Sequence, residues 1–382
     1  MHSYRCPHCD QLVFFENTEC LRCGQSLGFD PATLNLVAFP GGGADGEGFR
    51  RCANQALARC NWLITDDDEE PLCVSCRLTR TRPSDSDGPA ILGFADAEAA
   101  KRRMVFQILD IGLPLTSFRQ APGGLGYDLL SSATQPVITG HEDGIITIDL
   151  AESDDPHREQ VRQDMGEAYR TMLGHVRHET GHYYWVVLVE HAGRLDRFRE
   201  LFGDERADYG EAMNRHYERG APDGWGENYV SAYATMHPWE DWAETFAHYL
   251  HIRDTLQTAA AFGMHIDAPE PELSADPSED VEDEPFARVL GEWLPLTYAL
   301  NAVNRSMGSD DLYPFVISSA VITKLTWVHA TVRATARNLP ITDNQPGPTQ
   351  ERRGPARRKR RWMSLKNNQA ASHRWRWWGT AG

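Results

Sequence analysis

His178-Glu179-Thr180-Gly181-His182 is the stretch on which the reading of this chain turns. On an α-helix, side chains four residues apart share a face, so His178 and His182 present imidazole nitrogens to a common point. Two such nitrogens are half of a tetrahedral zinc site. Glu179 then sits beside that point as a proton acceptor for an attacking water. The flanks suit a helix. From Glu159 to Gly174 there are few helix breakers and the apolar residues fall near helical spacing, with Asp154-Asp155-Pro156 as a start signal. Tyr183 to Val189 is strongly apolar and aromatic. A solvated His/Glu helix face accounts for the pentapeptide but not for these neighbours.

Two histidines leave the site incomplete. The segment His237 to His251 supplies the candidates: Pro238 suits a helix start, and Glu240 and Asp241 suit its first turn. Glu240, Glu244, His248 and His251 fall near one face at spacings of four, four and three. Whichever of them does not bind the metal is placed to orient His178 or His182 by a hydrogen bond.

Ala243-Glu244-Thr245-Phe246-Ala247 resembles the Ala-Glu-Phe-Phe-Ala element that supplies the glutamate ligand in several small gluzincins. With Gly174 to Trp185 and Trp239 to His251, it makes the chain similar to a bacterial family of zinc-binding metallopeptidases with an N-terminal zinc ribbon, over roughly residues 4 to 335. The resemblance implies a zincin-like domain with Glu244 as third ligand, Glu240 and His248 being the rivals. It also implies an oxyanion donor ahead of the glutamate helix. Tyr233 stands in that region, one helical turn further away than in the relatives, with His237 as the alternative; the plain reading of Tyr233 and Tyr229 is core aromatics. Metzincin spacing is absent, because Tyr183-Tyr184-Trp185 follows His182 with no glycine or histidine at the required offsets. His175 reads as a structural histidine.

All eight cysteines fall within residues 6 to 76. Cys6-Pro7-His8-Cys9 and Cys20-Leu21-Arg22-Cys23 are two knuckles, each followed by a turn residue, Asp10 or Gly24, as a four-thiolate structural zinc requires. Cys52, Cys60, Cys73 and Cys76 form a looser second set, for which disulfide pairing is the rival; Cys52-Ala53-Asn54 and Cys60-Asn61-Trp62 resemble family features and favour zinc. Met1 to Cys6 runs into the first knuckle without a signal peptide, so thiolates in a reducing cytoplasm are expected. The expected metals are one catalytic and one or two structural Zn²⁺.

The net charge of −17 over 382 residues hides two unlike parts. Residues 351 to 382 hold ten lysines and arginines against Glu351, a charge of +9, which leaves −26 for the first 350 residues. An acidic body repels phosphate backbones and favours basic or neutral substrates. The tail interleaves arginine with Trp362, Trp375, Trp377 and Trp378, a weak pointer to nucleic acid or an acidic membrane, with a disordered extension as the plainer reading. The ribbon has no dense basic face, so a protein or nucleic-acid partner there has little support. No apolar run approaches the roughly twenty residues that span a bilayer.

The expected architecture is α+β. A double zinc-binding, ribbon-like module at 1–82 precedes a mainly α-helical, zincin-like domain with a small sheet at 90–338, and a basic tail follows at 339–382. Pro83 to Pro89 reads as a linker; Gly123 to Gly126 and Gly41 to Gly43 read as turns. Ala95 to Leu109 is expected as a helix with its lysine and arginines on one side. Ile145 to Leu150 alternates and is β-branched, and by position and resemblance it is the strand bordering the cleft. Pro269 to Pro285 reads as a solvated acidic loop; Phe286 to Met307 and Leu312 to Arg333 read as helices completing the core. The function expected is zinc-dependent hydrolysis of a peptide or protein substrate. The alternatives are a zinc-ribbon adaptor with a non-catalytic core and an amidase acting on a non-protein amide.

Overall fold

The computed structural model describes residues 1–39, 48–133, 136–164 and 169–338, and the basic tail and Gly41 to Gly43 lie outside them. Met1–Ile341 forms one compact unit. Its first part has three antiparallel strand pairs among the described residues: β1 (Tyr4–Arg5) with β2 (Leu12–Val13), β3 (Ser26–Asp30) with β4 (Asn35–Phe39), and β5 (Phe49–Arg51) with β6 (Leu63–Thr65). The two knuckles repeat one turn. Asp10 and Gly24 take positive φ of 59° and 69°, and their N–H groups donate to the Cys6 and Cys20 carbonyls at 2.9 and 2.8 Å. So little chain cannot enclose a core of its own. Phe15, Phe29 and Trp62 are buried and extend onto Phe106 of α1 (Gly88–Ile111), whose ring lies 5.2 Å from Phe15 and 5.9 Å from Phe29.

The ribbon covers part of α1, so of the basic residues expected at its surface only Arg103 stays there, 2.6 Å from Glu16. Lys101 and Arg102 are buried, and Lys101 Nζ donates to Glu98 Oε1 at 2.6 Å, with both side chains fully enclosed. Pairing offsets the cost of burying the Lys101 charge, whereas among the described residues Arg102 donates only to the Arg59 carbonyl at 3.4 Å and its Nη1 has no hydrogen-bond partner.

The sheet has the order β7-β8-β10-β9, from β7 (Thr79–Thr81), β8 (Gly126–Leu130), β9 (Gly140–Glu142) and β10 (Ile145–Asp149). β8 runs parallel to β7 and β10, and β9 is antiparallel to β10. The strand expected from Ile145 is present, but it is interior and β9 holds the edge. Asp143 (φ 47°) and Gly144 (φ 83°) form the two-residue loop between them, and such left-handed pairs favour tight hairpins.

The helices are α2 (Asp155–Asp164), α3 (Met172–Trp185), α4 (Leu195–Phe202), α5 (Tyr209–Arg219), α6 (Pro238–Ala261), α7 (Phe286–Ser306) and α8 (Ser319–Ala336), with a π-helical turn, Val186–Glu190, closing α3. The helical pattern from Glu159 does not run unbroken into the histidine motif. Thr171 is extended (φ −138°, ψ 155°) and caps α3, its Oγ1 accepting from the Gly174 N–H at 3.0 Å. α3 and α6 pack at their smallest residues. A Cβ on Gly181 would stand 3.1 Å from the Ala243 Cα, and Trp242 Nε1 donates to the Gly181 carbonyl at 2.9 Å.

α8 starts later than expected, because Ser318 caps it. The loop before α7 is less solvated than its composition suggests: Ala275 and Val281 are buried, and Glu282 pairs with Arg253 at 2.6 Å. No helix of the described residues is long and apolar enough to cross a membrane.

Candidate metal centre

α3 and α6 bring His178, His182 and Glu240 together, with one donor atom from each lying within 4.8 Å of the others. His178 Nε2 is 3.0 Å from Glu240 Oε2, and His182 Nε2 is 3.4 Å from Glu240 Oε1. Glu244 stands on the opposite side of the His178 ring, with Oε1 2.7 Å from Nδ1, while its Oε2 accepts from Ser231 Oγ at 2.6 Å. The expected grouping of Glu244 with the two histidines thus differs from the one observed. Both glutamates lie on one face of α6, but the close crossing at Gly181 and Ala243 sets His178 between them and His182 beside Glu240. An imidazole has two nitrogens pointing apart, and each glutamate takes one.

The remaining candidates fall at varying distances. Glu179 is 7% exposed, and its Oε2 has no hydrogen-bond partner. The Tyr233 ring is 5.9 Å from that of His178. His237 is not brought to the cluster. It is the N-cap of α6, its Nδ1 accepting from the Trp239 N–H at 3.2 Å and its Nε2–H donating to the Ala207 carbonyl at 3.0 Å. Both nitrogens are spent on backbone, so it is a poor donor to a substrate. His248 is engaged by another partner, its Nδ1 2.7 Å from the Tyr313 hydroxyl. His175 lies 3.4 Å from Glu152.

Three neighbours had no place in the sequence reading. The Tyr209 hydroxyl donates to Glu240 Oε1 at 2.9 Å, Ser231 holds Glu244, and His141 on β9 stacks on His182 with centroids 6.2 Å apart. Asp143-Gly144 was the legible signal for His141, since it marks the hairpin that carries that residue back. Tyr209 and Ser231 sit in connecting segments with no periodic pattern to betray them.

The charges are strongly coupled. Burial opposes the protonated form of His178, but hydrogen bonds to Glu240 and Glu244 outweigh it and hold the imidazole well above its ordinary value. Burial likewise works against ionised Glu240 and Glu244, yet the His182 charge and the His178 hydrogen bond hold Glu240 far down, and His178 holds Glu244 at about 2. Two carboxylates thus stay ionised around imidazoles, a donor set that favours a divalent cation in place of the shared protons. Glu179 moves the other way. Burial raises its carboxyl, against the pull of the His178 and His182 charges.

Cys6, Cys9, Cys20 and Cys23 form one sulfur cluster, and Cys52, Cys60, Cys73 and Cys76 form another that is wholly buried. All eight are free thiols rather than disulfides. Four sulfurs about 2.3 Å from a shared zinc stand about 3.8 Å apart by tetrahedral geometry. Cys6–Cys23, Cys9–Cys20 and Cys60–Cys73 are 3.7, 3.6 and 3.7 Å apart. The spacing fits zinc.

Residues 91–331 match the family model described as "Putative zinc-binding metallo-peptidase", and residues 3–87 match a zinc-ribbon domain. Uncharacterized proteins of Mycobacterium tuberculosis and Mycobacterium bovis are each 49% identical over 334 residues, covering 87% of this chain and 95% of theirs. No solved structure matches the chain.

Proposed function

Because the chain belongs to the zinc-binding metallopeptidase family and has a zinc-ribbon domain ahead of it, we propose that it hydrolyses peptide bonds at His178, His182, Glu240 and Glu179. The first three hold one zinc ion, and the two cysteine clusters hold structural zinc. Zinc supplies a Lewis acid that polarises the peptide carbonyl and makes water more acidic. Glu179 takes the proton of the attacking water and passes it to the leaving amine. Its burial suits that task, because a carboxyl raised toward neutrality both accepts and returns a proton readily. Glu244 and Ser231 hold the Nδ1 side of His178, which leaves Nε2 free for the ion. Tyr209 steadies Glu240 with its one O–H, and the phenol of Tyr233 flanks the cluster as a donor to the developing oxyanion.

The observation that carries this reading is the unpartnered oxygen of buried Glu179 beside the three converging donors. A buried carboxylate oxygen without a partner costs stability. An adaptor with a purely structural ion gives that oxygen nothing to do. An amidase would use the same residues on a different bond. Glu179→Gln should retain zinc and lose about 10²–10⁴-fold in peptide hydrolysis; unchanged turnover in that variant removes the mechanism.

A further inference from the structure

The face of α6 that carries Glu240 and Glu244 continues into an aromatic chamber. One turn past Glu244, His248 meets the Tyr313 hydroxyl and packs on the Phe315 ring at 4.4 Å. Next to these lies a cavity of about 270 Å³, walled by Tyr169, Trp293, Leu300, Tyr313 and Phe315. It extends from Arg177, whose side chain is 3% exposed, to Leu312, which is 50% exposed, so its mouth is at Leu312.

The charged group at the closed end is already matched, while the indole N–H of Trp293 in the wall has no hydrogen-bond partner among the described residues. Arg177 donates to Asp254 at 2.7 Å, to Gln107 at 3.0 Å and to His251 Nδ1 at 2.5 Å. Burial, helped by the Arg177 charge, keeps His251 neutral. With no uncompensated charge, the chamber suits a neutral guest. An apolar cavity of about 150 Å³ accommodates benzene, so this one has room for a phenyl, phenol or indole ring. His251 lies eleven residues along α6 from Glu240, about 16 Å at the helical rise. An extended peptide covers that distance in about five residues.

We propose that this cavity is a substrate pocket for an aromatic side chain about five residues from the bond that is cleaved. The proposal rests on the peptidase reading for its substrate but not for its binding test.

Indole is the probe, titrated by ligand-observed NMR into the zinc-loaded full-length chain. Wild type should bind it. Leu300→Trp, which fills the chamber, and Leu312→Trp, which blocks the exposed mouth without touching the interior, should each weaken binding by about tenfold or more. In a peptide library, wild type should select an aromatic residue at one fixed position about five residues from the cut, and Leu312→Trp should lose that selection. Absent indole binding, or equal binding by all three proteins, overturns the pocket. Indole binding as expected with no peptide cleaved overturns the peptidase reading and leaves the pocket standing. Cleavage without positional aromatic selection overturns the pocket's role in substrate choice.

Discussion

Removing Glu240 and removing Glu244 should have unequal consequences, and the inequality tests the assignment of the metal ligand. Glu240 faces His178 Nε2 and His182 Nε2, whereas Glu244 reaches only His178 Nδ1. Glu240→Ala deletes a donor and should leave two zinc ions per chain, those of the cysteine clusters. Glu244→Ala deletes one charge-assisted hydrogen bond of 2.7 Å, worth about 1.5–3 kcal/mol. At about 1.4 kcal/mol per tenfold that is roughly 10–100-fold in zinc affinity, the usual range for a group that orients a histidine ligand. It should therefore still fill all three sites at saturating zinc and release one of them more readily. Competition against a chromogenic zinc chelator, with elemental zinc per chain as the count, reads both numbers. A Glu244→Ala protein stuck at two ions, beside a Glu240→Ala protein that keeps three, would refute the reasoning and make Glu244 the ligand.

Gly144→Ala should disturb both stability and catalysis, because a Cβ there runs into the Gly123 and Gly124 carbonyls at a positive φ. A cost of about 1–3 kcal/mol is expected from the backbone alone, read as a lower Tm, together with reduced kcat/KM as β9 carries His141 away from His182. Lys324→Met should strip the buried Asp241 carboxylate of its 2.6 Å partner and cost about 3–5 kcal/mol, measured by urea unfolding; a loss below about 1 kcal/mol would mean the pair is far better solvated than its burial suggests. Although burial pushes the other way, hydrogen bonds from His175 and Arg170 hold Glu152 down to about 2 from 4.5. An acid depressed in the folded state lends stability that is full above its ordinary value and lost as pH falls toward 2. The Tm gap between wild type and Glu152→Gln should therefore close across that window, and a pH-independent gap would exclude the linkage. Cys73→Ser should unfold the amino-terminal part at lower chelator concentration than Cys9→Ser, by circular dichroism, since the Cys73 cluster is wholly buried while Cys9 is partly exposed.

Some features were legible because their signal is local. His178 and His182 share a face by helical period alone, and Cys6, Cys9, Cys20 and Cys23 sit on turns whose residues, Asp10 and Gly24, adopt the left-handed conformation they need. Ile145 to Asp149 alternates as a strand must. Other features failed where a neighbour distant in sequence made the decision. Lys101 and Arg102 look like a solvent face until the ribbon and Glu98 enclose them. His237 looks like a cleft histidine until the Ala207 carbonyl and the Trp239 N–H claim its two nitrogens.

By itself, then, the sequence determined that two imidazoles meet on one helix, that acidic partners wait on another some sixty residues later, and that two cysteine sets bracket the amino-terminal strands. These follow from spacing along a single element, where the backbone geometry is known in advance. Tertiary structure alone decided which glutamate meets which nitrogen. That choice depends on how deeply α3 and α6 can approach, and the approach is set by Gly181 against Ala243, where neither side chain is large enough to hold the helices apart.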